Sequence, residues 1–320
     1  MPRPLHCPPE LFELDLRGKT YLVTGGNSGL GLETSHRLLR QGGQVVIACR
    51  NPQLGEQAIQ TLRARTPGAL VHVLPLDLAD LESVRSFARA FLARFDSLHG
   101  LLNNAGIMNT PLSRTKDGFE SQFGVNHLGH FLLTELLLPL LIESAPSRIV
   151  NVSSAYHDVA MGREGRIDFD DPNFERRKYD GWLAYAQSKL ANLLHARELA
   201  KRLEGTGVAS VSVHPGWVPT RLARHSLPLW LQDGLLRHVL RPFGMIQLED
   251  GIQSSLFALL SPQVPAQSGS YFSQVGGYRD RAASGGGWPL VSPNPEARDE
   301  GNAQRLAELS RRLVGLAPAR

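Results

Sequence analysis

The 320-residue sequence has only two cysteines, Cys7 and Cys49. Two cysteines build no disulfide framework, and their positions do not match a zinc-ligand spacing. Cys49 lies in the apolar stretch QVVIAC, where a free thiol is typical of a small core residue. The shortage of cysteine favours a reducing compartment.

The sequence also lacks a concentrated charge of either sign. Its 34 basic and 30 acidic residues leave a formal net charge of +4, in spite of an isoelectric point near 9.3. Basic residues are scattered apart from small groups such as Arg176, Arg177 and Lys178. So diffuse a charge argues against a nucleic-acid partner. With 42% hydrophobic and 20% charged residues, the composition is typical of a soluble globular protein.

Long hydrophobic runs are missing as well. No stretch reaches the roughly 20 consecutive apolar residues of a transmembrane helix. The N-terminal segment MPRPLHCPPELFELDL is rich in proline and charge, without the apolar run of a signal peptide. We therefore expect no transmembrane segment and a cytoplasmic location. Peripheral contact with a membrane and assembly into a homo-oligomer are left open.

What the sequence does contain is a regular alternation of β-prone and helical segments. Seven apolar stretches alternate with helical ones from residue 19 to about residue 273. Such alternation predicts parallel strands joined by helical crossovers. We expect an α/β fold with a single Rossmann-type, doubly wound parallel sheet of about seven strands and helices on both faces.

One domain accounts for this organisation, because no linker divides the alternating region. Residues 1–18 are read as an N-terminal extension and residues 19–273 as the Rossmann domain. Residues 274–320 are read as a Gly/Pro-rich loop and a C-terminal helix packed on the same domain. A polar insertion at 155–180 and the stretch 217–248 fall outside the pattern. The segment 274–298, rich in glycine, serine and proline, is expected to be a surface loop.

Four glycines within seven positions follow the first predicted strand, in TGGNSGLG. A glycine turn between a strand and a helix lets a phosphate approach the backbone, where the helix N-terminus presents unpaired amides. A dinucleotide pyrophosphate fits this arrangement, although a glycine turn alone is a weak signal. The candidate cofactor-binding residues of this turn are Gly25, Asn27, Ser28, Gly29, Leu30 and Gly31.

No acidic residue occurs at positions 48–51, after the second predicted strand. An NAD site places a carboxylate there for the ribose 2′-hydroxyl, whereas an arginine suits a 2′-phosphate. Arg50 lies at this point, and a guanidinium can bind phosphate with two parallel hydrogen bonds. The sequence therefore favours NADP(H) over NAD(H). A solvated arginine at a strand end is the alternative.

Polar residues follow two further predicted strands. Asp77 can accept a hydrogen bond from an adenine amino group, whereas Asp80 is better placed to cap a helix. The NNAG stretch offers a slim backbone against a ribose, and Asn104 suits a bond between strands as well as it suits a ligand. The candidate cofactor residues here are Asp77, Leu78, Asn104, Ala105 and Gly106.

Tyr185 and Lys189 lie four residues apart in YAQSK, which places them on one face of a helix. A phenol titrates near pH 10, and an ammonium about 5 Å away favours the phenolate by roughly 3 kcal/mol at an effective dielectric near 20. The pair predicts that the pKa of Tyr185 is lowered toward neutrality for acid–base catalysis. Ser154 can hydrogen-bond the same substrate oxygen. Asn126 can hold a water that relays protons to Lys189.

Together these motifs resemble the classical short-chain dehydrogenase/reductase family. TGGNSGLG, NNAG, Asn126, VSS, YAQSK and HPG occur in the family's order between residue 19 and about residue 273. The stretches KDGFESQFGVNHLGHFLLTELLLPLL and YAQSKLANLLHARELAKRLEGTGV resemble the retinol dehydrogenase-like subgroup. The resemblance implies a catalytic tetrad of Asn126, Ser154, Tyr185 and Lys189, with Lys189 also holding the nicotinamide ribose. It implies a nicotinamide site formed by Pro215, Gly216, Val218 and Thr220.

The activity implied by this resemblance is NADP(H)-dependent interconversion of a lipophilic alcohol and its aldehyde or ketone. Hydride passes to or from the nicotinamide while Tyr185 transfers the proton, and a retinoid, a fatty aldehyde or a steroid is the expected type of substrate. A dinucleotide-binding regulator or scaffold is the alternative, although binding alone needs no activated phenol. Protochlorophyllide reductases share the framework, but the cysteine expected near Trp217 is absent. Many subgroup members carry an N-terminal membrane anchor, which this sequence does not show.

Two groups of residues are ambiguous. Ser154 and Trp217 are candidate substrate contacts, and lipophilic residues after Trp217 either line a substrate pocket or pack that segment onto the core. Those residues are Leu227, Leu229, Trp230, Leu231, Leu235 and Leu236. His127 and His130 are three apart on a predicted helix, but no third ligand joins them. A structural role is favoured, and no metal site is expected.

Overall fold

The structure is a computed structural model that describes residues 3–218 and 245–317. Seven strands form the main sheet: β1 (Thr20–Thr24), β2 (Gln44–Cys49), β3 (Val71–Pro75), β4 (Gly100–Asn103), β5 (Ser147–Val152), β8 (Val208–His214) and β9 (Tyr271–Ser273). Each coincides with one of the seven predicted stretches. The short strands β6 (Val159–Ala160) and β7 (Arg163–Glu164) form a separate antiparallel hairpin within the polar insertion.

The helices of the described part of the chain connect these strands. They are α1 (Gly29–Arg40), α2 (Pro52–Arg65), α3 (Leu81–Leu92), α4 (Ser121–Glu143), α5 (Gly181–Arg202), α6 (Leu248–Leu260) and α7 (Glu300–Leu313). Within α4 the segment Gly124–Leu128 is a π-helix between two α-helical parts. Such a bulge is rare and often occurs at functional sites.

The main sheet has the strand order β3-β2-β1-β4-β5-β8-β9, and all of its pairs are parallel. The direction of winding reverses between β1 and β4. In an open parallel sheet, ligands bind at such a reversal, outside the carboxyl ends of the strands. The predicted doubly wound sheet of seven strands is confirmed.

Two apolar cores lie on opposite faces of the sheet. Leu22 of β1 packs into a cluster with residues of α3, α4, α5 and α7, whereas its neighbours Tyr21 and Val23 pack with residues of α1, α2 and α6. This division follows from the alternation of side chains along a strand. Helices therefore cover both faces, as predicted.

Residues 274–298, named here the strap, form an irregular segment whose anchoring to the core their composition did not suggest. Tyr278, Ser292 and Asn294 of the strap are buried, and two 3-10 turns interrupt it. The side chain of Gln274 accepts a hydrogen bond from the main-chain nitrogen of Leu5 at 2.8 Å and donates one to its oxygen at 2.6 Å. Composition hid these anchors because each is a single residue between glycines, serines and prolines.

One helix of the described chain is long and apolar enough to cross a membrane by length and composition. Helix α4 has 23 residues, and the mean hydropathy of its most apolar part is 1.4. Polar residues such as Asn126 and His127 interrupt its apolar runs, so the sequence shows no continuous apolar stretch there. Because 67% of this part is buried inside the fold, as in the core helix of a soluble protein, the helix is weak evidence for a membrane span.

Candidate active site

The N-terminus of α1 presents main-chain amides at the carboxyl end of β1. Ser28 occupies the N-cap position, yet its side chain makes no capping hydrogen bond. Gly25 has φ +67°, and a Cβ on Gly31 would lie 2.6 Å from the oxygen of Gly25. The turn therefore requires glycine and leaves the first amides of a 12-residue helix for an anion. These features fit a dinucleotide pyrophosphate.

A cavity of about 560 Å³ opens beside this turn. Seven of the predicted cofactor residues line it, from β1 through the ends of β2, β3 and β4. They are Gly25, Asn27, Arg50, Asp77, Leu78, Ala105 and Gly106. Arg50 is exposed at the rim, and Arg114, which sequence reasoning missed, also lines the cavity. The fold thus brings together residues that are up to 81 positions apart, as an adenosine site requires.

Two residues near this cavity are bonded to the protein itself. Asn104 donates from its main-chain nitrogen to Oγ1 of Thr24 at 2.9 Å and from its side chain to the oxygen of Thr24 at 2.8 Å. Asn104 therefore ties β4 to β1, which favours the structural alternative. One carboxylate oxygen of Asp77 accepts the amide of Ala79 at 2.9 Å. Asp80 caps α3, as expected.

The predicted nicotinamide residues lie after β8. Gly216 has φ +82°, and Val218 is buried against Ile246 and Val275, with Leu30 of α1 packed on the same cluster. Trp217 is 40% exposed. Thr220 and the lipophilic residues at 227–236 lie outside the described residues. The described part of this segment therefore connects to the glycine turn through Leu30.

Three residues of the predicted tetrad converge at the carboxyl end of β5. Tyr185 and Lys189 occupy successive turns of α5 and are both buried. The Nζ atom of Lys189 donates to the main-chain oxygen of Val152 at 3.0 Å and lies 5.6 Å from the centre of the Tyr185 ring. The side chain of Ser154 lies close enough to Tyr185 to lower the pKa of its phenol. The arrangement places two hydroxyl groups where one substrate oxygen can contact both.

Asn126 lies in the π-helical part of α4 and is fully buried. Its Oδ1 accepts a hydrogen bond from the main-chain amide of Ile107 at 2.8 Å. Its Nδ2 donates one hydrogen bond to the main-chain oxygen of Ile107 and one to Oγ of Ser188, both at 2.9 Å. A Cβ on Gly106 would lie 3.1 Å from Asn126 Oδ1 and 3.6 Å from Lys189 Nζ. Asn126 and Lys189 therefore both approach Gly106, and the water relay expected of Asn126 stays a prediction.

The pKa shifts of the central pair oppose the sequence expectation. Burial raises the pKa of the Tyr185 phenol, and the hydrogen bond with Ser154 offsets only part of that rise. Burial also lowers the pKa of the Lys189 amine to about 7. A spacing of four residues predicts the attraction between the charges but carries no information on the removal of both groups from water. Desolvation favours the neutral form of each.

An aromatic group beside Tyr185 was missed by sequence reasoning. The ring of Tyr156 stands edge-on to Tyr185 at 6.2 Å and to Trp182 at 5.4 Å. The hydroxyl of Tyr156 lies 3.8 Å from the sulfur of Met161, which is 58% exposed. A signal was present, because Trp182 precedes Tyr185 by three residues and shares its helix face. Tyr156 and Met161 belong to the polar insertion at 155–180, whose sequence has no periodic pattern that would place them beside Tyr185.

The family follows from comparison with known proteins. Residues 19–228 match the short chain dehydrogenase family. The chain belongs to this family. It is 45% identical to Retinol dehydrogenase 12 of Homo sapiens over 303 residues, which are 95% of this chain and 88% of that protein. The chain is thus a retinol dehydrogenase-like oxidoreductase.

Solved structures of this short-chain dehydrogenase's relatives agree with the fold. An uncharacterised protein from Mycobacterium Paratuberculosis is 38% identical, with a TM-score of 0.73 over 95% of this chain and 96% of the other. A complex of RhlG with NADP from Pseudomonas aeruginosa is 27% identical, with a TM-score of 0.64 over 82% of this chain and 96% of the other. The fold is one that binds a nicotinamide dinucleotide.

Proposed function

We propose that this short-chain dehydrogenase interconverts a lipophilic alcohol and its aldehyde or ketone with NADP(H). The convergence of Ser154, Tyr185 and Lys189 beside the cofactor crevice carries the proposal. In this reaction a bound nicotinamide supplies or accepts the hydride at the carbonyl carbon. The hydroxyls of Ser154 and Tyr185 hold the carbonyl oxygen, which Tyr185 protonates as the carbonyl is reduced. Asn126 supports Lys189.

Burial of these residues also excludes water from the site of proton transfer. Tyr185 and Lys189 are each 3% exposed. A hydrogen bond to the substrate oxygen is stronger in such surroundings than in water. Lys189, with a pKa of about 7, can hold or release a proton close to pH 7, and its amine would hold the ribose hydroxyls of a bound cofactor.

The preference for NADP(H) rests on Arg50, which lines the cavity and stays exposed to a ligand. A 2′-phosphate at this rim would gain a charge-assisted bond. The glycine turn would hold the pyrophosphate. The adenosine would lie against Asp77, Leu78 and the NNAG stretch, and the nicotinamide would lie against the residues that follow β8, from Pro215 to Thr220. The NADP complex of the 27% identical relative is consistent with this choice.

A lipophilic substrate is supported by the side chains around the catalytic phenol. Tyr156 contacts both Trp182 and Met161 beside Tyr185, and Trp217 is exposed after the end of β8. These side chains offer mainly apolar surface with few hydrogen-bonding groups, which suits an apolar substrate. The similarity to Retinol dehydrogenase 12 points in the same direction.

The division of the chain at residues 18 and 273 and the cytoplasmic location remain part of the proposal. Contacts of α7 with α5 support the packing of the C-terminal segment on the single domain. A homo-oligomer and peripheral contact with a membrane are compatible with it. Cell fractionation followed by carbonate extraction would test the location, and release into the soluble fraction without extraction is the expected result.

The decisive experiment combines a substrate screen with a matched pair of tyrosine variants. NADPH oxidation is measured with retinal, medium-chain aldehydes, steroids and quinones. Tyr185→Phe should abolish turnover while leaving NADPH binding intact, because only the hydroxyl is lost. Tyr21→Phe, which alters a buried phenol on β1, is the control and should stay active. Lys189→Met should impair both turnover and NADPH binding, since Lys189 serves both.

Two results would contradict the proposal in different ways. If the protein binds NADPH but reduces none of the carbonyls, a regulator or scaffold is favoured. If Tyr185→Phe keeps most of the activity of Tyr21→Phe, the reaction occurs but Tyr185 is not its acid.

A further inference from the structure

The loop that follows Ser154 is bonded to the strap through one histidine. His157 is fully buried and ends the short 3-10 turn Ala155–His157. Its Nδ1 lies 2.6 Å from the main-chain oxygen of Ser154. Its Nε2 lies 2.6 Å from Oγ of Ser292, which is 135 positions further along the chain. One imidazole thus joins the proposed catalytic serine to the strap.

The two partners determine which ring nitrogen of His157 carries the proton. A carbonyl oxygen only accepts hydrogen bonds, so Nδ1 donates to Ser154. In the neutral ring Nε2 then accepts, and the hydroxyl of Ser292 donates to it. Burial lowers the pKa of His157 to about 4, which keeps the ring neutral at pH 7. Every hydrogen-bonding atom of the imidazole therefore has a matching partner.

The strap also holds the main chain of this loop. Nδ2 of Asn294 donates to the oxygen of His157 at 2.7 Å and to the oxygen of Gly165 at 2.8 Å. The main-chain nitrogen and Nε of Arg279 both donate to the buried carboxylate of Asp158 at 2.8 Å. Ring and backbone are thus fixed by the same segment.

Ser154 is consequently held from both sides. On one side, the hydroxyl of Ser153 donates to the main-chain oxygen of Lys189 at 2.7 Å. On the other side, the main-chain nitrogen of His157 donates to Ser154 at 3.0 Å in addition to the ring. The hydroxyl of Ser154 accepts a hydrogen bond from the main-chain amide of Tyr156 at 3.2 Å. A change in the His157 ring would therefore reach the hydroxyl of Ser154 through two residues of backbone.

We propose that His157 is a positioning residue for Ser154, and that the strap sets its orientation through Ser292 and Asn294. The proposal rests on the proposed function, which gives Ser154 its role at the substrate oxygen. It assigns to the strap, which lies outside the predicted catalytic motifs, a part in shaping the active site. The expected consequence is a dependence of catalysis on Ser292 even though its hydroxyl contacts His157 and not the reacting atoms.

The test compares His157→Asn, His157→Gln and Ser292→Ala in the full chain. Asparagine places an amide donor near the position of Nδ1, whereas glutamine places it near that of Nε2. We expect kcat to fall about tenfold in His157→Gln while KM and the NADPH dissociation constant stay within about twofold. His157→Asn should restore most of kcat, and Ser292→Ala should lie between them. Ser310→Ala is the matched control, because it removes a buried hydroxyl 2.7 Å from Nε2 of His127.

The pH dependence gives a second readout that a purely structural role would not move. The Ser154 hydrogen bond lowers the pKa of Tyr185, so a displaced Ser154 should move the oxidation profile of His157→Gln to more alkaline pH. Equal kcat and pH profiles in His157→Gln and Ser310→Ala would overturn the proposal. A loss in His157→Gln that comes with a lower melting temperature and is not restored by His157→Asn would overturn it too.

Hydrogen exchange separates this proposal from the proposed function. If the wild-type chain reduces no carbonyl, the proposed function fails while the positioning can still be measured. The main-chain amide of Tyr156 donates a hydrogen bond to the Ser154 hydroxyl. This amide should exchange faster than in the wild type in His157→Gln and Ser292→Ala. In His157→Asn and Ser310→Ala it should exchange at the wild-type rate. Unchanged exchange in the first two variants would overturn the positioning role.

Discussion

Replacing Arg50 with glutamine should change the choice of cofactor without changing the fold. Arg50 is exposed at the end of β2 and makes no ion pair within residues 3–218 and 245–317, so its loss breaks no described contact of this kind. A hydrogen bond to a charged group contributes about 1.5–3 kcal/mol, and the exposed position argues for the lower end. Since 1.4 kcal/mol corresponds to a factor of ten, NADPH should bind at least about tenfold more weakly.

The affinity for NADH should stay unchanged, because NADH has no 2′-phosphate. Fluorescence titration of both cofactors measures the ratio directly and needs no substrate. Arg40→Gln, at an exposed position in the last turn of α1, is the matched control. The charge contact also predicts that added salt weakens NADPH binding more in the wild type than in Arg50→Gln. An unchanged ratio of NADPH to NADH affinity would refute the role of Arg50.

Two further predictions concern stability. Burial lowers the pKa of three clustered histidines from 6.5, to about 3 for His127, to about 4 for His130, and downward for His195. Below pH 6.5 the unfolded chain binds more protons than the folded chain, so the free energy of unfolding should fall as pH drops from 6.5 toward 4. The fall should reach up to about 1.4 kcal/mol per pH unit for each histidine. A melting temperature independent of pH between 7.5 and 5 would contradict this. Glu135→Gln should destabilise the fold by about 1.5–3 kcal/mol in denaturant unfolding, because the carboxylate is 6% exposed between the guanidinium groups of Arg202 and Arg311, while Arg202 keeps its pair with Glu198. Glu300→Gln, which breaks an exposed pair with Lys201, should cost at most about 1 kcal/mol, and equal losses would refute the reasoning.

Local sequence patterns were sufficient for the sheet and for most of the predicted residues that line the cavity beside the glycine turn. Each strand of the main sheet is a short apolar run, and its two faces are buried by different helices. A parallel sheet then brings its carboxyl ends to one edge, so residues such as Gly25 and Asp77 meet there without any long-range information. The same reasoning placed Tyr185 and Lys189 on one face of α5.

Features that depend on tertiary burial were not predictable in this way. The strap looks like a surface loop because its buried residues, among them Tyr278, Ser292 and Asn294, are isolated in the sequence and follow no helical or strand period. The partners of Ser292 and Asn294 lie in the loop after Ser154, more than a hundred positions earlier. The π-helical bulge at Asn126 and the contact between the rings of Tyr156 and Tyr185 likewise follow from no local sequence pattern.

Tyr185 and Lys189 show why local spacing predicted the wrong direction for the pKa shift of the phenol. Spacing places Lys189 near Tyr185, and a charged amine there would favour the phenolate. The fold removes both groups from water, and the pKa of Lys189 falls to about 7 as a result. A partly neutral amine offers less positive charge to the phenol, whose own pKa rises. On the proposed function, Tyr185 therefore keeps its proton at neutral pH and can donate it to a carbonyl oxygen. For alcohol oxidation Tyr185 must first lose its proton. A positive charge outside the Tyr185–Lys189 pair or a more alkaline solution must then favour that loss.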